Sequence, residues 1–310
     1  MKKILRWFIL GGTLFFVGTA LKDNWLEVSS IRIDAAGWSV LAVATGVTLL
    51  AHIWAGWMWT WILKELNQSV SPGEFIQVYL KTNVAKYLPG NVWHYYGRIL
   101  AAKNANVDPG AATLSVLLEP LLMAAAALIM VILFAGQLAF NNTNIWISFI
   151  KFISLFLLLA AVHPLVLNPI IKFLTKFKNN RLNNQNSQSE NQSIIVLNIA
   201  RYPLLPLLGE LIFLLLRGTG FILTMFALHS FSWSQIPLLL GAFSFAWVLG
   251  LVIPGAPGGL GVFEATAIAI LQHRFPAALV ISSITLYRLI SIFAEISGAG
   301  LASLDERLFS

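Results

Sequence analysis

Apolar residues in this chain come in long runs, and polar residues fall mostly in the breaks between them. An α-helix needs about 20 mostly apolar residues to cross the hydrocarbon of a bilayer. Runs near that length cover Ile4 to Leu21, Ala36 to Leu63, Gly110 to Ala135, Ile145 to Val166, Pro203 to Phe231, Gln235 to Ile253 and Pro276 to Leu304, with a shorter one from Val262 to Leu271. The pattern predicts an all-α, polytopic membrane helix bundle, with seven full spans if residues 254–271 are re-entrant and eight if their helix crosses. The first run ends in Gly18-Thr19-Ala20 like a signal peptide. It is longer than a usual signal h-region and leads into further spans, so a retained anchor is expected.

Two stretches depart from the apolar pattern. Phe75 to Arg98 is interrupted by Lys81, Asn83, Lys86, Tyr87, Pro89, Gly90, Asn91, His94 and Arg98, which makes it too polar to span. It reads either as an interfacial amphipathic helix or as a re-entrant segment entering the protein interior. Residues 173–193 shift to Lys, Asn, Gln and Ser, a cytoplasmic linker between a first half, 1–172, and a second half, 194–310, of a single membrane domain. The halves echo each other. Each has apolar helices, a Pro-Gly interruption (Leu88-Pro89-Gly90 and Ile253-Pro254-Gly255) and then a long helix holding an acid (Glu119 and Glu295). Interrupted segments at matching positions in two halves point to a binding site between repeats.

Composition agrees: 58% of residues are hydrophobic and 11% charged, with a mean hydropathy of +0.78. The net charge of +7 would suit nucleic-acid binding, but the cations sit at the ends of apolar runs, as Lys2, Lys3 and Arg6 and then Lys172, Lys176, Lys178 and Arg181. Such clusters mark cytoplasmic flanks, which puts the N-terminus and the linker in the cytoplasm and makes nucleic acid an unexpected partner. With no cysteine, thiol chemistry and thiolate metal sites are absent. The five histidines are scattered, His94 reads as interfacial, and no metal or cofactor is expected. Trp54, Trp57, Trp59 and Trp61 read together as an interfacial aromatic belt.

The segment Pro254-Gly255-Ala256-Pro257-Gly258-Gly259-Leu260-Gly261-Val262-Phe263-Glu264 lies between apolar runs and cannot face lipid. Proline removes donors and glycine weakens a helix, so such backbone must be buried in protein or line a wet cavity. A helix restarting near Leu260 would aim its free amides and positive dipole end into the gap, an anion site, with Glu264 in its first turn. Tight packing of small residues is the structural alternative. No Lys-Ser/Thr follows the glycines, so nucleotide binding is not indicated.

Glu119, Glu210, Arg217, Glu264, Arg288 and Glu295 place charges within apolar runs. Glu210 and Arg217 are seven apart, as are Arg288 and Glu295. Two turns separate each pair by about 10 Å, so each charge needs a partner on another helix. Cross-helix pairs of Arg217 or Arg288 with Glu119, Glu264 or Glu295 are the structural expectation, and a polar interior for a ligand the functional one.

The run Pro257-Gly258-Gly259-Leu260-Gly261-Val262-Phe263-Glu264, with Asn83, Leu88-Pro89-Gly90 and Gly97-Arg98 upstream, resembles the flippase-like domain family, also called the lysylphosphatidylglycerol synthase transmembrane region. The family's upstream motif carries a Gly-Glu where this chain has Trp93-His94-Tyr95-Tyr96 and no acid. The family includes the membrane half of the multiple peptide resistance factor, which moves aminoacylated phosphatidylglycerol between leaflets. Similar proteins handle polyprenyl-phosphate sugars and hopanoid lipids. The resemblance implies lipid translocation in a bacterial-type inner membrane, with a separate lipid-modifying enzyme as partner. Aminoacyl transfer resides in an additional C-terminal region of the two-part enzymes, and this chain ends at Ser310 with its apolar segments assigned, so synthase activity is not expected.

The expected function is movement of a polar or anionic lipid headgroup through a cleft, without a catalytic residue. The candidate substrate-binding residues are Asn83, Pro89, Gly90, Arg98, Glu119, Arg217, Pro254, Pro257, Gly258, Gly259, Gly261, Glu264, Arg288 and Glu295. An intramembrane lipid-modifying transferase and a structural or partner-binding subunit are the alternatives.

Overall fold

The computed structural model describes residues 22, 25–30, 32–88, 92–138, 145–169, 199, 201–253 and 256–309. All regular structure among them is helical. In chain order the α-helices are α1 (Trp25–Ser30), α2 (Ala35–Glu65), α3 (Pro72–Asn83), α4 (Trp93–Asn104), α5 (Pro109–Leu138), α6 (Ile145–Ala161), α7 (Leu204–Leu228), α8 (Ile236–Val252), α9 (Val262–Leu271) and α10 (Ala277–Phe309). Short 3₁₀ turns occupy Val84–Tyr87, Trp233–Gln235 and Pro257–Gly259.

Among the described residues, five stretches are long and apolar enough to cross a membrane: Ala35–Glu65, Pro109–Phe134, Leu204–Leu228, Trp233–Val252 and Ala277–Asp305. The protein is an integral membrane, polytopic helix bundle. The first expected span and the linker at 173–193 lie outside the described residues. The run from Ile145 divides earlier than expected, because Pro164 has no N–H to bond the preceding turn. Helix α6 therefore stops at Ala161, and the chain turns at Val162 and His163 before a further helical stretch over 164–169. Helix α9, ten residues long, extends about 15 Å, half the hydrocarbon thickness. At that length α9 is too short to cross the hydrocarbon by itself.

Local signals in the sequence set the helix ends. Asp34 accepts a hydrogen bond from the Gly37 amide at 2.7 Å, and Asp108 accepts from Gly110 and Ala111, each at 2.9 Å. Both thereby satisfy first-turn donors that have no partner within the helix. At the other ends, Asn67 and Asn106 adopt left-handed φ values of 61° and 60°. Each closes its helix with the paired backbone bonds of a Schellman turn, from Gln68 to Leu63 and Asn67 to Lys64, and from Val107 to Ala102 and Asn106 to Lys103. The Gln68 side chain then accepts from the Asp108 amide at 3.1 Å, tying the turn after α2 to the turn before α5.

The core is built on α2, whose buried residues Ala44, Thr48, Ala51, Ala55, Met58, Ile62 and Leu63 recur at helical spacing. Its main partner is α7, while α8 packs on α5 and α3 lies between α2 and α10. Outward faces stay apolar, with Phe152, Phe156, Leu133, Phe293 and Ile296 exposed as a lipid-facing surface requires. The tryptophans of α2 divide. Trp54, Trp57 and Trp61 share a face and form edge-to-face pairs at 5.1–5.6 Å, with Trp57 41% exposed. Trp59 points the opposite way and is fully buried against Phe75, donating to Ser115 Oγ at 3.1 Å. It is a core residue and not part of an aromatic belt.

Candidate functional site

The polar stretch Phe75 to Arg98 turns inward. Asn83, His94 and Arg98 are all buried in the protein interior, so His94 is not a surface residue. The 3₁₀ turn Val84–Tyr87 meets the 3₁₀ turn Pro257–Gly259 at the rim of a cavity of about 120 Å³, enough for several waters. The cavity is lined by side chains of α2, α3, α4, α5, α7, α8, α9 and α10, among them His52, Lys86, His94, Arg98, Glu119, Arg217 and Arg288. The two interrupted regions of the chain thus face one chamber.

Glycine permits this meeting. Gly258, Gly259 and Gly261 have φ values of 59°, 72° and 82°, the left-handed region that other residues enter at a cost. A Cβ on Gly258 would lie 2.8 Å from Cε1 of Tyr87, and one on Gly259 would lie 3.3 Å from Cα of Gly250 on α8. The second Pro/Gly segment is therefore clamped between Tyr87 and the end of α8.

The charges form three groups. In the first, Arg98 of α4 donates to Glu119 Oε2 of α5 at 2.6 Å, and the Tyr79 hydroxyl of α3 donates to Glu119 Oε1 at 2.8 Å. The guanidinium also stacks 3.6 Å from the Tyr79 ring centroid. Pro120, which follows Glu119 inside α5, lines the same cavity.

In the second group, Glu295 Oε1 of α10 accepts from Lys86 Nζ at 2.7 Å and lies 3.2 Å from His52 Nε2 of α2. Asn83 Nδ2 is 3.4 Å from His52 Nδ1. Arg217 of α7 reaches His52 Nε2 and Ser291 Oγ, each at 3.2 Å, and lies over the Trp247 and Tyr287 rings at 5.0 and 5.3 Å. Its own carbonyl accepts from the Tyr287 hydroxyl at 3.0 Å. Among the described residues no carboxylate stands within ion-pair distance of Arg217, and its Nε has no partner. The expected Arg217 ion pair is thus replaced by a histidine, a serine and two aromatic faces.

In the third group, Glu264 Oε1 accepts from Arg288 Nε of α10, while Glu264 Oε2 accepts from the Gly261 amide at 2.7 Å. Arg288 Nη1 also donates to the Gly258 carbonyl at 3.2 Å. The carboxylate folds back to cap its own helix. The dipole end expected as an anion site is therefore filled by the protein itself, which moves the free positive charge to Arg217.

Of the sequence candidates, Asn83, Arg98, Glu119, Arg217, Gly258, Gly259, Gly261, Glu264, Arg288 and Glu295 come together around this chamber, and Pro257 opens its 3₁₀ turn. Pro89, Gly90 and Pro254 lie outside the described residues. Sequence reasoning left out His52, Tyr79, Tyr87, Trp247 and Tyr287 as site residues. A histidine in the middle of the apolar run Ala36 to Leu63 was a usable signal, since a titratable group at that depth needs partners. The aromatics gave none, because their role depends on which helix faces them.

A family model described as Lysylphosphatidylglycerol synthase TM region matches residues 4–298, nearly the whole chain. The chain belongs to this family. No curated protein matches it. Membership in the lysylphosphatidylglycerol synthase TM region family gives the protein a membrane lipid-related role. The chamber lies within the matched residues, since its lining runs from His52 to Arg288 and Glu295 stands behind it.

Proposed function

We propose that the protein translocates a lipid by carrying its polar or anionic headgroup through the chamber while the acyl chains stay in the bilayer. The observation that carries this reading is the guanidinium of Arg217, buried at the chamber wall with no carboxylate partner among the described residues. Charges in a membrane interior are costly, by roughly 2.5–3.5 kcal/mol on insertion scales, and are otherwise paired or in contact with a polar ligand. Lys86, Arg98 and Arg288 each have an acid: Glu295, Glu119 and Glu264. Arg217 is left to meet a phosphate, which a guanidinium binds with two parallel hydrogen bonds.

A phospholipid, a polyprenyl-phosphate-linked lipid and a hopanoid with a polar head are the candidate substrates. The reading places the protein in a bacterial-type inner membrane with its N-terminus in the cytoplasm, acting without nucleotide, beside a separate enzyme that modifies the lipid. It is a carrier function and not a catalytic one.

The test is reconstitution into phosphatidylglycerol vesicles carrying a fluorescent phosphatidylglycerol, with an impermeant quencher added outside. Wild-type protein is expected to expose the inner-leaflet pool, and Arg217→Ala to slow exposure at least tenfold. Gly259→Leu and Glu264→Gln are expected to slow it as well. Wild-type rates in all three variants would overturn the site assignment. Vesicles with protein that behave like empty ones, for this lipid and for a polyprenyl-phosphate probe, would overturn the translocator.

A further inference from the structure

Glu210 is fully buried on α7, and both of its carboxylate oxygens lack a hydrogen-bond partner. It does not line the chamber; its helix packs on α5, which carries Glu119, and the charges acting on it are Glu119 of α5 and Arg98 of α4. The Tyr79 hydroxyl of α3 is committed to the same Glu119. From α2, Met58 and Trp61 pack on the neighbouring Gly209 and bring no charge. The histidine of α2, His52, faces Arg217 and Glu295 instead. Helix α8 has no titratable side chain, and the charged residues Arg288 and Glu295 of α10 engage Glu264 and Lys86.

Two buried carboxylates therefore stand in the field of one arginine, and that arginine is bonded to Glu119 alone. An ionised Glu210 would be an isolated buried anion beside a second anion, which is among the costliest arrangements in a protein interior. A neutral carboxyl group removes the repulsion and leaves the Arg98–Glu119 bond undisturbed. Acids of this kind within membrane helices mark proton pathways.

We propose that Glu210 is a proton-binding site linked to anion binding in the chamber. With the proton on Glu210, Arg98 is balanced by one carboxylate and shares its positive field with a headgroup phosphate in the chamber that both line. When the O–H bond of Glu210 breaks, the proton leaves to solvent, and the new carboxylate adds a second negative charge to the field of Arg98. Anion binding and proton binding at Glu210 then favour each other, as linkage requires of any two coupled sites. The chamber's use for lipid rests on the translocator reading, whereas the proton site rests on the burial and isolation of Glu210.

Infrared spectra of the detergent-purified full chain at neutral pH test the site directly. Wild type is expected to show the carbonyl stretch of a protonated carboxyl group, and Glu210→Gln, neutral and of equal size, to lose that intensity while keeping the melting temperature. Absence of the band in wild type, or its full retention in Glu210→Gln, overturns the proposal. Binding of dioctanoyl phosphatidylglycerol, read by tryptophan fluorescence, tests the linkage. Wild-type affinity is expected to fall by up to tenfold per pH unit as pH rises through the titration of one linked proton, and Glu210→Gln to lose that slope. A variant with the wild-type slope would assign the pH dependence elsewhere, to His52 or His94, and overturn the linkage. A carboxyl band without lipid movement in vesicles sinks the translocator alone, while lipid movement without the band sinks the proton site alone.

Discussion

Replacing Gly258 with alanine tests whether the meeting of the two 3₁₀ turns depends on the missing side chain. The residue has φ of 59°, where an L-residue loses roughly 1–2 kcal/mol. The new methyl would stand 2.8 Å from Cε1 and 3.1 Å from Cδ1 of Tyr87, inside normal contact. Overpacking of that kind costs about 1–3 kcal/mol. Together the two effects amount to roughly 2–5 kcal/mol, or on the order of 4–10 °C in melting temperature for a chain of this size. Gly46→Ala is the control. That glycine lies in α2 with no atom within 4 Å of an added Cβ, so helix propensity should hold or raise the melting temperature. The two contributions separate in a double-mutant cycle with Tyr87→Ala. Removing the ring relieves the contact and leaves the backbone strain, so a coupling of about 1–3 kcal/mol is expected. A Gly258→Ala protein that melts with wild type, or a cycle without coupling, would refute the reasoning.

Two further predictions follow from burial. Glu119→Gln leaves the Arg98 guanidinium without its anion where both side chains are 3% exposed or less, a change that costs about 3–5 kcal/mol. Glu264→Gln should cost clearly less, because that pair is 16% and 11% exposed and amide oxygen can still cap Gly261. Thermal melts of the two variants side by side check the order, and equal losses would contradict it. Trp59→Phe should lower the melting temperature through loss of the Ser115 bond and of packing, while Trp57→Phe on the exposed face should leave it within about 0.5 kcal/mol of wild type.

The long helices were legible because their runs are long, apolar and bounded by clear signals. Helices α2, α5, α7, α8 and α10 lie within a few residues of the predicted runs, and Asp34 and Asp108 cap where an N-cap residue belongs. Candidate charges were legible for a related reason, since an ionisable group in an apolar run is expensive enough to need an explanation. Pairing was not. Helical spacing excluded Glu210 with Arg217 and Arg288 with Glu295, but nothing in one chain says which other helix faces each charge. Lys86 illustrates this, because its partner Glu295 stands 209 residues away. His94 and Trp59 were misplaced for the same cause. Aromatic and imidazole rings suit both an interface and a core, and tertiary packing decides between them.

The pattern of pairing carries a mechanical consequence for the proposed carrier. Among the described residues, the three ion pairs of a lysine or arginine with a carboxylate each join a different pair of elements. Lys86 ties the 3₁₀ turn 84–87 to α10, Arg98 ties α4 to α5, and Arg288 ties α10 to both α9 and the Gly258 carbonyl. The short, interrupted elements are thereby anchored to long helices by charges, where one would expect apolar contact between helix faces. In a low-dielectric interior such a bond is strong while intact and costly when one partner is left alone. A headgroup carrying both a phosphate and an ammonium group can exchange partners with a pair without leaving either charge unmatched. On the proposed carrier reading, the anchors that hold these short elements in place are contacts a charged headgroup would replace, which would couple its passage to movement of those elements.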